Sequence, residues 1–379
     1  MMRERRHTTL IGLIVCVLVA ALASVTPGYA QDSTPGALPT GVVSVVNGEP
    51  IAREAFHARL RLVRWQYLKE LDALYGATGG NLQLTREHVT ARVTSLQDPV
   101  QLGDDVLYQM EEEWLLWQTG EQLGILPTTT EIQQQEATFF SLWTNVPVEQ
   151  LATSAQAQEF ITTWYAEAMA ASGMSVADFQ QLFAASALRL RLYAYVAENA
   201  PTEELAVHTR HMLCSFHPDT PSDMSAPTAE QRAAAQACID TALERLSAGD
   251  SFALVAAELS DDSASAEQGG DVGWTLISYL AENYATAAQD SALKTVIGPV
   301  ETEFGLHLIE VLDRRMQTLS AEELDASQRG YFRLWIQTLH DEATIARGDD
   351  WAAGLPVDPA LDTLDPVLLS AIDDVVNNP

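Results

Sequence analysis

The sequence predicts an α+β protein: an all-helical amino-terminal module, then a compact domain mixing strands and helices, then a closing helix. Three observations lead there. Between residues 52 and 199, apolar side chains recur three and four positions apart, as in helices with one buried face. From His208 the period changes, and short β-type runs alternate with helical ones around Gly269-Gly270-Asp271. Over residues 320–347 helical spacing returns, with Tyr331, Leu334, Trp335 and Leu339 on one stripe.

Composition narrows the function. Hydrophobic residues make up 47% of the 379 and charged residues 19%, enough for real cores and too apolar for a disordered chain. The formal net charge is −31, from 21 Lys+Arg against 52 Asp+Glu. Such a surface repels phosphate backbones and anionic lipid, so nucleic acid is excluded as a partner.

The first thirty residues have the layout of an export signal. Arg3, Arg5 and Arg6 precede an apolar run from Leu10 to Ala23, and Gly28 and Ala30 supply small residues for cleavage. The run is shorter than the roughly 20 residues a membrane span needs. If uncleaved, residues 10–23 would instead form a membrane tether. Cys16 lacks the small preceding residue of a lipid-attachment site. In either case the protein is expected to work outside the cytoplasm. There the two remaining cysteines, Cys214 and Cys238, either close one disulfide or stay as two partly buried thiols.

In chain order, 31–41 is a polar linker, and Val42-Val43-Ser44-Val45-Val46 is a β-type run stopped by Asn47-Gly48-Glu49-Pro50. A helix follows from Ala52 to Tyr75 on Phe56, Leu60, Val63 and Tyr67. Residues 76–103 give weaker signals, with a helix over Thr85–Leu96. From Asp104, Leu107, Met110, Trp114 and Trp117 mark another helix, which Gly124 caps and Pro127 prevents from continuing. Thr128 and Glu131 have capping-box spacing. Two more helices cover 157–171 and 175–199. The second domain reads strand (Val207–Leu213), loop (Ser215–Pro227), two helices to Leu259, and a turn-rich stretch to Gly273. A strand near Val272, a helix, and strands at Val296–Val300 and Leu306–Leu312 complete it. Residues 351–379 read as a Pro/Asp-rich tail.

Five segments of this second domain together resemble the parvulin (PpiC-type) peptidyl-prolyl isomerases. They are His208 to Leu213, Gly249 to Asp262, Ser265 to Trp274 (close to the family's Gly-Gly-Asp-Leu-Gly-Trp signature), Gly298-Pro299-Val300, and Phe304 to Ile309. More loosely, Val45 to Ile51 with Phe56, and Val106 to Ile125, resemble the amino-terminal region of SurA- and PrsA-type foldases. The resemblance implies a four-stranded antiparallel sheet with surrounding helices in 201–315. It also implies a chaperone-like helical domain over 42–200, to which a carboxyl-terminal helix within 316–379 returns.

It further implies an isomerase of X-Pro bonds acting on unfolded or partly folded exported polypeptides. The family's two core histidines fall on His211 and His307, and the position it fills with Cys or Asp falls on Asp262; all three are expected at the catalytic site. The proline pocket falls on Leu280 and Tyr284, with the polar site residue Thr302. A family stretch containing Gly and Gln is replaced here by Thr275-Leu276-Ile277-Ser278-Tyr279. That departure keeps open a holdase whose parvulin domain is degenerate.

Rotating the amide requires no covalent intermediate, so the expectation is no cofactor and no metal. The loop Ser215–Pro227 contains no Lys or Arg, which argues against phosphorylated substrates. His208 and His211 fall on opposite faces of a strand, which argues against a shared metal ion.

Overall fold

The computed structural model describes residues 38–220 and 225–377. The expected signal and most of the linker, in residues 1–37, lie outside the described residues. No described helix is long and apolar enough to cross a membrane. The chain divides into two compact units, one of residues up to Asn199 together with Tyr331 onward, the other Ala200–Gly330.

The helical unit is built on α1 (Arg53–Ala77), α2 (Arg86–Gln97) and α3 (Pro99–Leu123), followed by α4 (Thr129–Thr144), α5 (Ala155–Ser172) and α6 (Val176–Ala197). Helix α1 is buried on two sides. Phe56, Leu60, Val63, Tyr67, Leu71 and Leu74 join Leu102, Val106 and Leu107 of α3 in one core. Leu62 and Trp65 enter a second, aromatic core with Phe139, Phe140, Trp164, Phe179 and Phe183. Trp164 stands edge-on to Phe139 and Phe140, with centroids 5.2 and 5.4 Å away, the geometry ring quadrupoles favour. The predicted stops hold: Gly124 caps α3 in the left-handed region, and the Thr128–Glu131 capping box starts α4. Helix α3 begins at Pro99, earlier than expected, because Asp98 caps it and a proline is tolerated in the first turn.

This unit is not purely helical. Strands β1 (Val42–Val46) and β2 (Glu49–Ala52) pair, and the last strand, β7 (Ile345–Arg347), adds to β1 from far along the chain, in the order β2-β1-β7. Arg347 anchors that addition: it pairs with Glu111 at 2.7 Å and with Asp104, and Glu111 also accepts from Ser44 Oγ at 2.6 Å. The closing helix, Ala321–Glu342, therefore ends before the expected 347. The tail contains a further amphipathic helix, Pro366–Asn377, whose Leu368, Ile372 and Val375 fill the first core. Phe332 and Ile336 of the closing helix pack with Leu116, Leu188, Leu192 and Val196.

The second unit contains a four-stranded antiparallel sheet in the order β4-β3-β6-β5. Its strands are β3 (Glu203–Ser215), β4 (Asp271–Leu276), β5 (Val296–Thr302) and β6 (Gly305–Thr318), longer than the apolar runs alone suggest. One face of β3 and β6 packs against α7 (Ala229–Ser247) and α8 (Phe252–Leu259) through Met212, Phe216, Ile239, Val255 and Leu308. The other packs against α9 (Glu282–Asp290) through Val207, Tyr284, Ile309 and Val311. Cys214 of β3 and Cys238 of α7 form a disulfide, with Cα atoms 6.0 Å apart.

Candidate active site

The site lies on the face of the sheet that α9 covers. His211 is on β3 and His307 on β6; Leu213 pairs with His307 and His211 with Ile309, so the two histidines are offset by one pleat on a common face. Their rings are 5.3 Å apart at 28°, and the two Nδ1 atoms face each other at 3.2 Å. Each ring is held at its far nitrogen. His211 Nε2 meets Asp262 Oδ2 at 2.7 Å, and His307 Nε2 meets Thr302 Oγ1 at 2.8 Å. The result is one chain of hydrogen bonds, Asp262–His211–His307–Thr302.

Asp262 is fixed from its own loop. Ser265 donates its hydroxyl to Oδ2, and Oδ1 accepts from the backbone N–H of Ala264 at 3.2 Å. Burial pushes the Asp262 carboxyl up, but the bonds from Ser265 and His211 outweigh it and leave the acid below its ordinary range. Burial dominates at His307, which is 4% exposed: its pKa is lowered to about 3, first by desolvation and then by the neighbouring His211, with Asp262 opposing. His307 is therefore neutral near pH 7.

These charges assign the protons. A carboxylate can only accept, so Nε2 of His211 carries hydrogen. With His211 neutral, its bare Nδ1 accepts from His307 Nδ1–H, and His307 Nε2 accepts from Thr302.

Tyr284 forms the floor. It is 4% exposed, stands edge-on to His211 and His307 at 5.8 and 5.4 Å, and donates its hydroxyl to Thr209 Oγ1 at 3.0 Å. Burial pushes this phenol up to about 12. Leu280, half-buried, packs against the same apolar cluster. Residues 277–279 form a single tight turn that leaves Tyr279 60% exposed.

The structure thus brings together His211, Asp262, His307, Thr302 and Tyr284, with Leu280 adjoining. Ser265 and Thr209 also belong to the constellation and were not singled out in the sequence. His208 does not join it: on the other face of β3, it bonds to Asp271 at 2.8 Å. His217 is held by the carbonyl of Ser225 and by Gln231.

The glycine pair explains how the loop reaches this strand. Gly270 has φ +83°, and a Cβ there would lie 2.2 Å from the carbonyl oxygen of His211. Its own carbonyl accepts the His211 N–H at 2.8 Å. Only glycine allows that approach.

Residues 211–313 match the family model of the PPIC-type PPIase (rotamase) domain. This segment is a parvulin domain. Curated relatives that match include chaperones: Chaperone SurA of Alkalilimnicola ehrlichii is 37% identical over 112 residues, 27% of this chain and 26% of the relative. Chaperone SurA of Methylobacillus flagellatus is 32% identical over 147 residues, 36% and 31% of the two chains. This chain therefore covers well under half the length of either relative. Among solved structures, the PrsA peptidylprolyl isomerase of Bacillus cereus aligns over 87% of this chain and 96% of its own, at 14% identity and a TM-score of 0.38. A PpiC-type isomerase domain aligns over 30% of this chain and 93% of its own, at 26% identity and a TM-score of 0.25. Within the parvulin domain, buried His307 and Thr302 and half-buried His211 and Asp262 form one connected polar centre.

Proposed function

We propose that this protein is an exported foldase. Its parvulin domain accelerates cis–trans isomerisation of X-Pro bonds in unfolded or newly secreted polypeptides, and its helical unit holds the client. The observation that carries this proposal is the unbroken chain Asp262–His211–His307–Thr302 beside Tyr284 and Leu280.

The uncatalysed rotation faces a barrier of about 18–20 kcal/mol because the twisted amide loses its resonance. A catalyst needs only to bind the twisted amide better than the planar one, and each 1.36 kcal/mol of such preference gives about tenfold in rate. In this proposal Leu280 and the edge of Tyr284 seat the proline ring. The histidine pair and Thr302 present fixed dipoles to the rotating amide, and Asp262 with Ser265 fixes their direction. Nothing in the chain of events needs a cofactor.

The alternative is a holdase whose parvulin domain no longer catalyses. The buried Tyr284 hydroxyl, committed to Thr209, and the replaced segment Thr275–Tyr279 favour it. Exchange NMR on a proline-containing peptide decides between the two. Enhanced exchange supports the foldase. No enhancement, at a concentration of protein that suppresses aggregation of an unfolded client, leaves the holdase.

A place outside the cytoplasm is part of the proposal, supported by Arg3, Arg5, Arg6 and the apolar run to Ala23, and by the disulfide, which oxidising compartments favour. Amino-terminal sequencing of the mature protein tests it: a start near Gln31 means a cleaved signal, and an intact Met1 means a tether through residues 10–23.

A further inference from the structure

Thr209 is wholly buried on β3, two residues before His211 and on the same face as Val207 and His211. The sheet is irregular here on both sides. Against β6 the pairing runs from His208–Asp313 to Thr209–Val311 and skips Leu312. Against β4 it runs from Thr209–Gly273 to Arg210–Asp271 and skips Val272. Thr209 is thus flanked by an extra residue in each neighbouring strand, an arrangement that sharpens local twist and re-aims side chains.

The Thr209 side chain meets α9. Polar contacts tie that helix to the sheet at its start, where Asn283 Nδ2 donates to the Glu301 carbonyl at 2.8 Å. They tie it again at its end, where Arg314 Nη2 donates to the carbonyls of Ala288 and Ser291, each at 2.6 Å. Between these the Tyr284 hydroxyl donates to Thr209 Oγ1 at 3.0 Å. Of these contacts the last is the buried one, and it alone ends on a ring beside the histidines. The apolar contacts of α9 with Val207, Ile309 and Val311 hold the helix down without fixing its direction, because apolar burial is non-directional. A hydrogen bond does fix direction. The Tyr284 ring stands at 69° to His211 and 88° to His307, so a small swing of its axis changes the gap beneath both imidazoles. With the hydroxyl engaged, the ring has only carbon to offer a proline.

We propose that Thr209 is a positioning residue of the isomerase site: by holding the Tyr284 hydroxyl, it sets the height of the ring beneath the histidine pair and so the width of the proline seat. The inference rests on the foldase reading, and Thr209 itself touches no substrate.

A double-mutant cycle on the full chain tests it, with exchange NMR at several concentrations of a proline-containing peptide and urea unfolding measured for every member. Thr209→Val keeps the shape and removes the acceptor, Tyr284→Phe removes the donor, and the double variant leaves neither group unpaired. Thr209→Val strands a buried hydroxyl, so it loses stability whatever the bond does for turnover. The double variant discriminates: it should unfold near the parent's urea midpoint, yet keep a kcat/KM at least about fivefold below the parent's, through a raised KM. Thr209→Ser retains the acceptor and should return turnover to within about twofold of the parent. The imidazole proton resonances of His211 and His307, which lie in the ring current of Tyr284, should move in Thr209→Val and return in Thr209→Ser. Should Thr209→Val not fold, Tyr284→Phe and the double variant carry the same comparison. The proposal is overturned if the double variant regains turnover together with stability, if Thr209→Ser loses as much turnover as Thr209→Val, or if no variant changes turnover. A parent chain that gives no enhancement fails the foldase reading itself, and the proposal with it, before any variant is compared.

Discussion

His211 and His307 confront each other Nδ1 to Nδ1 at 3.2 Å, a gap that accommodates one hydrogen and no more. The two rings therefore share one hydrogen bond, and neither can turn without breaking it.

The burial of His307, with His211 beside it, makes the second unit acid-sensitive. An unfolded His307 takes up a proton below about 6.5, whereas the folded one resists until about 3. Between those values the unfolded state binds more protons, so stability is complete above 6.5 and declines as the pH falls toward 3. Asp262, with its folded pKa lowered, adds a loss in the same direction below its ordinary value of 3.8. At about 1.36 kcal/mol per pH unit, the His307 contribution lost by pH 4.5 is at most about 2–3 kcal/mol. Urea unfolding at pH 7.0 and 4.5 measures it, and His307→Asn should flatten the difference.

Asp262→Asn keeps the shape of the side chain while removing its charge. Without the carboxylate, nothing forces the His211 proton onto Nε2, and the chain of bonds loses its direction. We expect kcat/KM for a proline peptide to drop about tenfold or more, with unfolding free energy altered by roughly 1–2 kcal/mol. Ser265→Ala should show a milder version of the same split. If both variants keep full turnover, the histidines are scaffold alone.

Leu280→Ala separates a pocket wall from a core residue. Because Leu280 is only half-buried, truncation should cost about 1–2 kcal/mol of stability, less than for a core leucine. Turnover should suffer more, through a raised KM. Proportionate losses in unfolding free energy and in turnover would assign Leu280 to the core instead.

Gly270→Ala tests the approach of the loop to β3. The added Cβ would overlap the His211 carbonyl, at 2.2 Å, in a backbone conformation that side chains rarely adopt. Destabilisation of about 3 kcal/mol or more is expected, with loss of the second unit's thermal transition.

The residues of the candidate site were named through the resemblance to parvulins, whose motifs align them within recognisable strands and turns. His211, Thr302 and His307 fall together once β3, β5 and β6 are paired, and the loop after α8 brings Asp262 to them. Ser265 and Thr209 were not legible, since one of several serines beside Asp262 gives no sign of which hydroxyl reaches the carboxylate. Tyr284 was expected in a pocket wall, and the structure places it beneath the histidines, because its hydroxyl finds a buried partner in Thr209. In the fold, helical spacing found α1, α3 and α6. In the small sheet, β1 was read as a β-type run, whereas β2 and the strand at Ile345–Arg347 were missed because they are only four and three residues long and the last pairs across some 300 residues of sequence. The tail helix was missed because prolines and aspartates flank it, while its apolar face shows only from Leu368 to Val375.

The pairing of β7 with β1, locked by Arg347 on Glu111, sets an order of assembly. A polypeptide threaded out amino-terminus first delivers residues 200–330 before the strand that completes the helical unit has emerged. The parvulin domain can therefore mature while its neighbour still lacks a seam, and the last segment to arrive acts as a latch. Chains stalled or clipped before residue 345 should present a finished parvulin domain attached to an open, protease-sensitive helical unit.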